Sequence, residues 1–380
     1  GKCNYTDVFG MVKYWERIIY NFLKDQGIQT PPPRLKTGND KMKPIAGAYV
    51  KEPQVGGHNW VMSFDLNSLY PHLIMQFNIS PEKMVMGQRQ DTSVKRLLNQ
   101  ECDLSYIHQC NNTVTPNGVM FKRDKQGFLP ELMEKFYDER KMWKKRMIEY
   151  QKEKETCTDI KRKRELDTLI KRAYNNQQVR KIALNSAYGA LANQYFAFFS
   201  IDLAEAITLS GQYVIQHAEK VVNEYLNKVL KTDEDYVIAI DTDSVYITMD
   251  KLVSQVFPED TPREKVIDFL SKAEKQIEDA LKKGFDNLAQ YTNAFQQKME
   301  MGREVIADKG IWTAKKRYIL NVYDNEGVRL AEPKLKMMGI ETAKSSTPQW
   351  VRKKLEEALK VVMTQSEREL WEFVETARKE

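Results

Sequence analysis

Residues 236–247 read YVIAIDTDSVYI, two runs of β-branched and aromatic residues with Asp241 and Asp243 one residue apart between them. The runs predict strands and the polar centre a tight turn, so the segment reads as a hairpin. In extended chain, residues i and i+2 share a face, which lets the two carboxylates converge while Thr242 points away. Asp also favours turns for backbone reasons alone. A lone D-x-D is expected about once by chance in a chain this long. The pair gains meaning only if a third carboxylate joins it.

Working outward from the hairpin, helical periodicity covers 201–230 before it and 262–298 after it, with strands predicted near 303–308, 311–322 and 327–331. A final helical stretch spans 348–379. Toward the N-terminus, FDL closes an apolar strand (60–66) that turns into a short helix over 68–79, and 114–129 reads as a hairpin with Pro-Asn-Gly and Lys-Gln-Gly turns. Two long helices, 131–155 and 160–189, are separated by TCTD, which supplies a break and an N-cap. A first helix over 8–26 is followed by a proline-rich linker, 30–44. Strands interrupted by a helical excursion predict an α+β fold. No Rossmann fingerprint or Walker A loop occurs.

The 380 residues carry ordinary hydrophobic and charged fractions, 42% and 29%, with length for two or three packed units. No run approaches the ~18–20 apolar residues that span a bilayer. The charged opening is not a signal peptide, and, lacking Met, it reads as the interior of a longer chain. Four cysteines form no C-x-x-C pair, and Cys102, His108 and Cys110 lack a fourth partner for zinc. Between residues 131 and 182 stand 16 Lys/Arg against 10 Asp/Glu, so this segment accounts for the whole net charge of +6. Such a concentration suits a polyanionic partner, although i,i+4 ion pairing on a solvated helix pair explains it equally.

Four constellations carry chemistry. In SFDLNSLYP (63–71), Asp65 ends a strand where the chain turns into a helix bearing Tyr70. It reads as a metal ligand or as a helix cap, with Tyr70 near a ligand or in the core. With Asp241 and Asp243 it makes a hard-oxygen set suited to Mg²⁺. In RKIALNSAYG (180–189), Lys181, Asn185 and Tyr188 share one helical face, and Arg140 and Lys144 form another i,i+4 pair in DERKMWKK. In TAKKRYIL (313–320), read as a strand, Lys315 and Arg317 point one way and Lys316 and Tyr318 the other. Backbone phosphates of a duplex suit that pattern, as does a lysine-protected sheet edge.

In this order the motifs resemble those of family B DNA polymerases: DLNSLYP the first catalytic motif, KIALNSAYG the fingers motif, DTDS the third, and KKRY and KLKMMGIETAKSS (334–346) the primer-binding strand and palm–thumb junction. Details such as VKEP, NISPE and TPNGVMF are most similar to the replicative polymerases of T-even-like bacteriophages. The resemblance implies an antiparallel palm with packing helices and a two-helix fingers insertion. It divides the chain into an N-terminal helix and linker (1–44), palm (45–130), fingers (131–190), palm (191–344) and the start of a thumb (345–380), without the exonuclease and most of the thumb. It implies template-directed DNA synthesis in viral replication by two-metal nucleotidyl transfer. The alternative is a polymerase-like module that binds DNA and nucleotide without efficient catalysis.

The roles it implies are specific. Asp65, Asp243 and the Leu66 backbone hold two Mg²⁺, for which Mn²⁺ substitutes, with Asp241 assisting. Leu66, Asn67, Ser68, Leu69 and Tyr70 cradle the nucleotide, Tyr70 excluding a 2′-hydroxyl. Arg140, Lys144, Lys181 and Asn185 grip the triphosphate, with Lys181 also counted as catalytic, and Tyr188 lines the base-pair pocket. Lys315, Lys316, Arg317, Tyr318 and Lys336 hold the primer–template. Glu304 aligns with an acidic palm residue, while Gly302 stands where another acid is expected. His72 and Ile240 also depart from the pattern, standing in place of a small hydroxyl residue and a glycine. Implied partners are primer–template DNA, dNTPs, a sliding clamp and a separate exonuclease or thumb segment. The implied location is the host cytoplasm.

Overall fold

A computed structural model describes residues 4–32 and 44–378, so most of the linker predicted over 30–44 lies outside the described residues. In chain order the elements are α1 (Met11–Asp25), β1 (Gly56–Leu66), α2 (Leu69–Gln76), α3 (Val94–Leu98), α4 (Ser105–Gln109), β2 (Asn112–Val114), β3 (Met120–Lys122), α5 (Phe128–Thr156), α6 (Ile160–Leu191), α7 (Ile201–Leu230), β4 (Val237–Asp241), β5 (Ser244–Thr248), α8 (Asp250–Val256), α9 (Arg263–Tyr291), β6 (Met301–Ala314), β7 (Arg317–Asn325), β8 (Val328–Met338), α10 (Gln349–Thr364) and α11 (Glu367–Ala377). The fold is α+β. Its elements gather into two units.

One unit comprises Tyr49–Leu66, Ile215–Gly284 and Glu300–Glu380. Its centre is a six-stranded sheet of order β4-β5-β1-β6-β7-β8, antiparallel at every pairing. Alternate residues of these strands, among them Val61, Ile238, Val305, Trp312, Leu320 and Val322, form one buried cluster. Each such side chain contributes about 1.5–3 kcal/mol on leaving water. The free edge of β4 is not left open. Residues 49–54 run beside it, with Lys51 N–H donating to Ile240 O at 3.2 Å and Gln54 N–H to Ile238 O at 2.9 Å. The Lys51 ammonium anchors this segment on Glu219 (2.6 Å), Asp235 (2.5 Å) and the Val237 carbonyl (2.7 Å). An edge strand covered in this way cannot pair with another chain.

The other unit comprises Gly1–Ala48, Asn67–Val214 and Phe285–Met299. It is dominated by the antiparallel pair α5 and α6, joined through Asp159, whose carboxylate accepts from Lys161 N–H at 2.9 Å. The N-terminus of α5 is capped from afar by the NISPE segment. Asn78 Oδ1, Glu82 Oε1 and Ser80 Oγ accept the N–H groups of Gly127 (2.8 Å), Phe128 (2.8 Å) and Leu129 (3.3 Å). Those donors would otherwise be orphaned, and a carboxylate there also meets the positive end of the helix dipole. A side chain at Gly127 would place its Cβ 2.6 Å from Ser80 Cβ, so glycine is required for this approach. The hairpin predicted over 114–129 is shorter than expected: β2 and β3 enclose the Pro-Asn-Gly turn, and the Lys-Gln-Gly stretch leads straight into α5.

Candidate active site

β1 ends at Asp65–Leu66 and the β4–β5 turn comes beside it in register. Ser244 pairs with Asp65 across one strand boundary and with Asp241 across the other. Its hydroxyl donates to Asp65 Oδ1 at 2.7 Å, and Leu66 N–H donates to the Asp243 carbonyl at 2.9 Å. The turn itself is tight. Asp243 N–H donates to Asp241 O at 2.7 Å around Thr242, whose φ is +63°. That is a γ-turn geometry in a conformation costly for a β-branched residue, of order 1–3 kcal/mol. It persists because the strands hold it on one side and Tyr49 O accepts Thr242 N–H at 3.1 Å on the other.

The carboxylates feel one another. Burial first, and then the charge of Asp65, lift the Asp243 carboxyl from 3.8 to about 7, with Asp241 and Glu304 adding to the rise. Burial also raises Asp65, against the lowering effect of the Ser244 hydrogen bond. Close, partly dehydrated like charges are favourable only if a cation or proton neutralises them. Glu304 reaches this cluster through a β-bulge. Ser63 pairs with Val305 and Phe64 with Arg303, leaving Glu304 as the extra residue, and a bulge of this kind re-aims the side chain it carries. Lys336 Nζ holds both Glu304 oxygens at 2.7 Å, and Ser63 Oγ donates to one at 3.3 Å. Gly302 is the direct partner of Asp65, so where a second acid was expected no side chain faces Asp65.

Among the described residues no three His, Cys, Asp or Glu side chains form a group suited to a metal ion, and Asp241 is engaged by Lys316 at 3.2 Å. One sequence expectation is corrected here: TAKKRYIL is not a continuous strand. Lys315 and Lys316 form the turn between β6 and β7, with Lys316 at φ +59°, so the predicted alternation of faces does not apply. Lys315 reaches Glu52 (3.0 Å) and Arg317 reaches Glu341 (2.8 Å). Tyr318 is buried, bonded to the Tyr246 hydroxyl at 2.6 Å and stacked on Trp312. Its phenol is pushed up to about 12, chiefly by burial. Mg²⁺ takes only one or two protein carboxylates when substrate phosphates complete its shell. Asp65 and Asp243, half-buried and mutually repelling, fit that requirement.

In the helical unit, Asn67, Ser68 and one face of α5 line a cleft of about 500 Å³ with Tyr137, Arg140, Lys141, Lys144, Lys145 and Lys152. Arg140 Nη1 donates to Ser68 Oγ at 3.3 Å. Ser68 sits at φ +47°, and its carbonyl accepts the Nδ1–H of His72 at 3.0 Å. His72 is buried edge-on against Tyr137, so the residue that departs from the expected pattern supports the turn. Lys181 and Asn185 are exposed on α6. Tyr70 and Tyr188 meet edge to face, ring centres 4.9 Å apart.

Residues 16–380 match the family described as DNA polymerase family B. The chain belongs to DNA polymerase family B. It is 37% identical over 96% of its length to a DNA-directed DNA polymerase of Escherichia phage RB69, covering 45% of that protein. It is 34% identical over its whole length to one of Enterobacteria phage T4, covering 47%. DNA polymerase 1 of Pyrococcus abyssi is 28% identical over 74% of the chain, which covers 28% of it. This family B chain thus spans about half the length of the phage relatives it matches. No helix among its described residues is long and apolar enough to cross a membrane.

Sequence reading missed Lys141, Lys145 and Lys152 in this family B chain. Their signal was present as basic residues four and seven apart on α5, one helical face. Lys51 and Ser63 carried no local signal, because their partners lie more than 160 residues away.

Proposed function

We propose that this family B chain performs template-directed DNA synthesis in viral replication, in the host cytoplasm. The observation that carries the reading is the pair Asp65 and Asp243, two half-buried carboxylates at a strand end and a strained turn whose mutual repulsion a cation would relieve. Mg²⁺ bound there would lower the pKa of the primer 3′-hydroxyl and stabilise the departing pyrophosphate. Asp65, Asp243 and the Leu66 carbonyl supply protein ligands, and Asp241 sets the local charge. The 3′-oxygen forms a bond to the α-phosphorus of a dNTP as the bond to pyrophosphate breaks. Arg140, Lys144, Lys181 and Asn185 hold the triphosphate, and Lys141 and Lys145 join from the cleft that Arg140 and Lys144 line. Asn67, Ser68 and Leu69 present the backbone, Tyr70 packs on the sugar, and Tyr188 bounds the base pair.

Lys315, Lys316, Arg317 and Lys336 hold primer–template phosphates by exchanging acidic partners within the chain for DNA. The pairs of Lys315 with Glu52 and of Arg317 with Glu341 are exposed, and such pairs are worth about 0–1 kcal/mol each, so their exchange costs little. Tyr318 contributes from the core, by packing. A sliding clamp and a separate exonuclease or thumb segment complete the proposed assembly. Substituting Asp243→Ala should abolish metal-dependent primer extension while DNA binding persists. Undiminished extension by that variant would refute the site.

A further inference from the structure

Glycine is a poor choice for a helix interior, yet Gly211 sits buried in the middle of α7. A Cβ there would lie 3.2 Å from Tyr70 Cε1, and 3.5 and 3.6 Å from Leu73 Cδ1 and Leu69 Cδ2. The two leucine distances are ordinary contacts; the tyrosine distance is not, and the ring would have to yield by a few tenths of an ångström. Tyr70 is half-buried and its ring also meets Tyr188 edge to face at 4.9 Å. The absent side chain at Gly211 is therefore the space in which the Tyr70 ring is seated.

We infer that Gly211 is a positioning residue for sugar selection, setting how deeply the Tyr70 ring sits against α7. The inference rests on the proposed packing of Tyr70 against the nucleotide sugar. A methyl group at position 211 lifts the ring from its seat and into the space of the sugar, so the 2′-position is read at the wrong depth. The leucine contacts tolerate that methyl and alanine favours the helix, so Gly211→Ala keeps the fold.

The test uses the full chain on a dideoxy-terminated primer–template with Mg²⁺, so that no turnover is needed. Dissociation constants of dATP and ATP are measured by fluorescence quenching for wild type, Gly211→Ala, Tyr70→Ala and the double variant. Gly211→Ala should weaken dATP binding about fivefold, as expected for mild overpacking, and change the ATP/dATP ratio. In the Tyr70→Ala background the same substitution should change neither. If Gly211→Ala has equal effects in both backgrounds, or none in either, while Tyr70→Ala narrows the ATP/dATP gap, the inference falls and the sugar-gate reading stands. If Tyr70→Ala leaves the gap unchanged, the sugar-gate reading falls and takes the inference with it.

Discussion

Neutralising Asp243 should stabilise the metal-free chain, and only above the acidic range. A carboxyl whose pKa rises on folding, here from 3.8 to about 7, binds more protons folded than unfolded between those values. Stability is therefore lost as pH rises from about 4 to about 7, and stays flat beyond. At 1.36 kcal/mol per pKa unit the full gap amounts to ~4 kcal/mol, which water at a partly open turn reduces to ~2 kcal/mol. Asp243→Asn keeps the shape and removes the charge. In EDTA at pH 8 its sheet unit should melt about 4 °C above wild type, and at pH 4 the two should coincide. Mg²⁺ should then raise the wild type, by ~1.4 kcal/mol at ten times its dissociation constant, and leave Asp243→Asn nearly unmoved. Thermal unfolding followed by circular dichroism at both pH values, with and without Mg²⁺, reads all of this. A variant no more stable than wild type at pH 8, or equally stabilised at pH 4, would show that the carboxylates do not repel as argued.

Two further outcomes can be checked directly. Lys51→Met should destabilise the sheet unit by ~2 kcal/mol in urea unfolding, since it strands the largely buried Glu219 carboxylate; adding Glu219→Gln should recover part of the loss, because removing both partners is far milder than removing one. Replacing Lys141 and Lys145 together by Ala should weaken triphosphate binding at least tenfold, judged from the ~1.5–3 kcal/mol of a charge-assisted hydrogen bond, and should flatten its salt dependence. Equal binding by wild type and the double variant in titration calorimetry would remove the α5 cleft from the nucleotide site.

What could be read from the sequence was whatever depends on neighbours along the chain. The α5–α6 pair, α7 and the Asp-tipped hairpin follow from apolar period, a cap at Asp159 and β-branched flanks, and each appears close to its expected bounds. The Lys315–Lys316 turn was hidden because AKKRY carries no Gly, Asn or Pro, and strand-forming residues lie on both sides. A left-handed Lys316 is tolerated there because the flanking strands pair over eight positions and overrule local preference. The bulge that presents Glu304 is equally invisible, since it is a mismatch of count between two strands whose facing residues Ser63 and Glu304 lie 241 positions apart, rather than a property of either. The ion pair between Asp241 and Lys316 was hidden for the same reason. Spacing establishes which side of a strand a residue occupies, but its partner is chosen by charge arriving from elsewhere. Here that charge is Lys316, delivered by the very turn the sequence concealed.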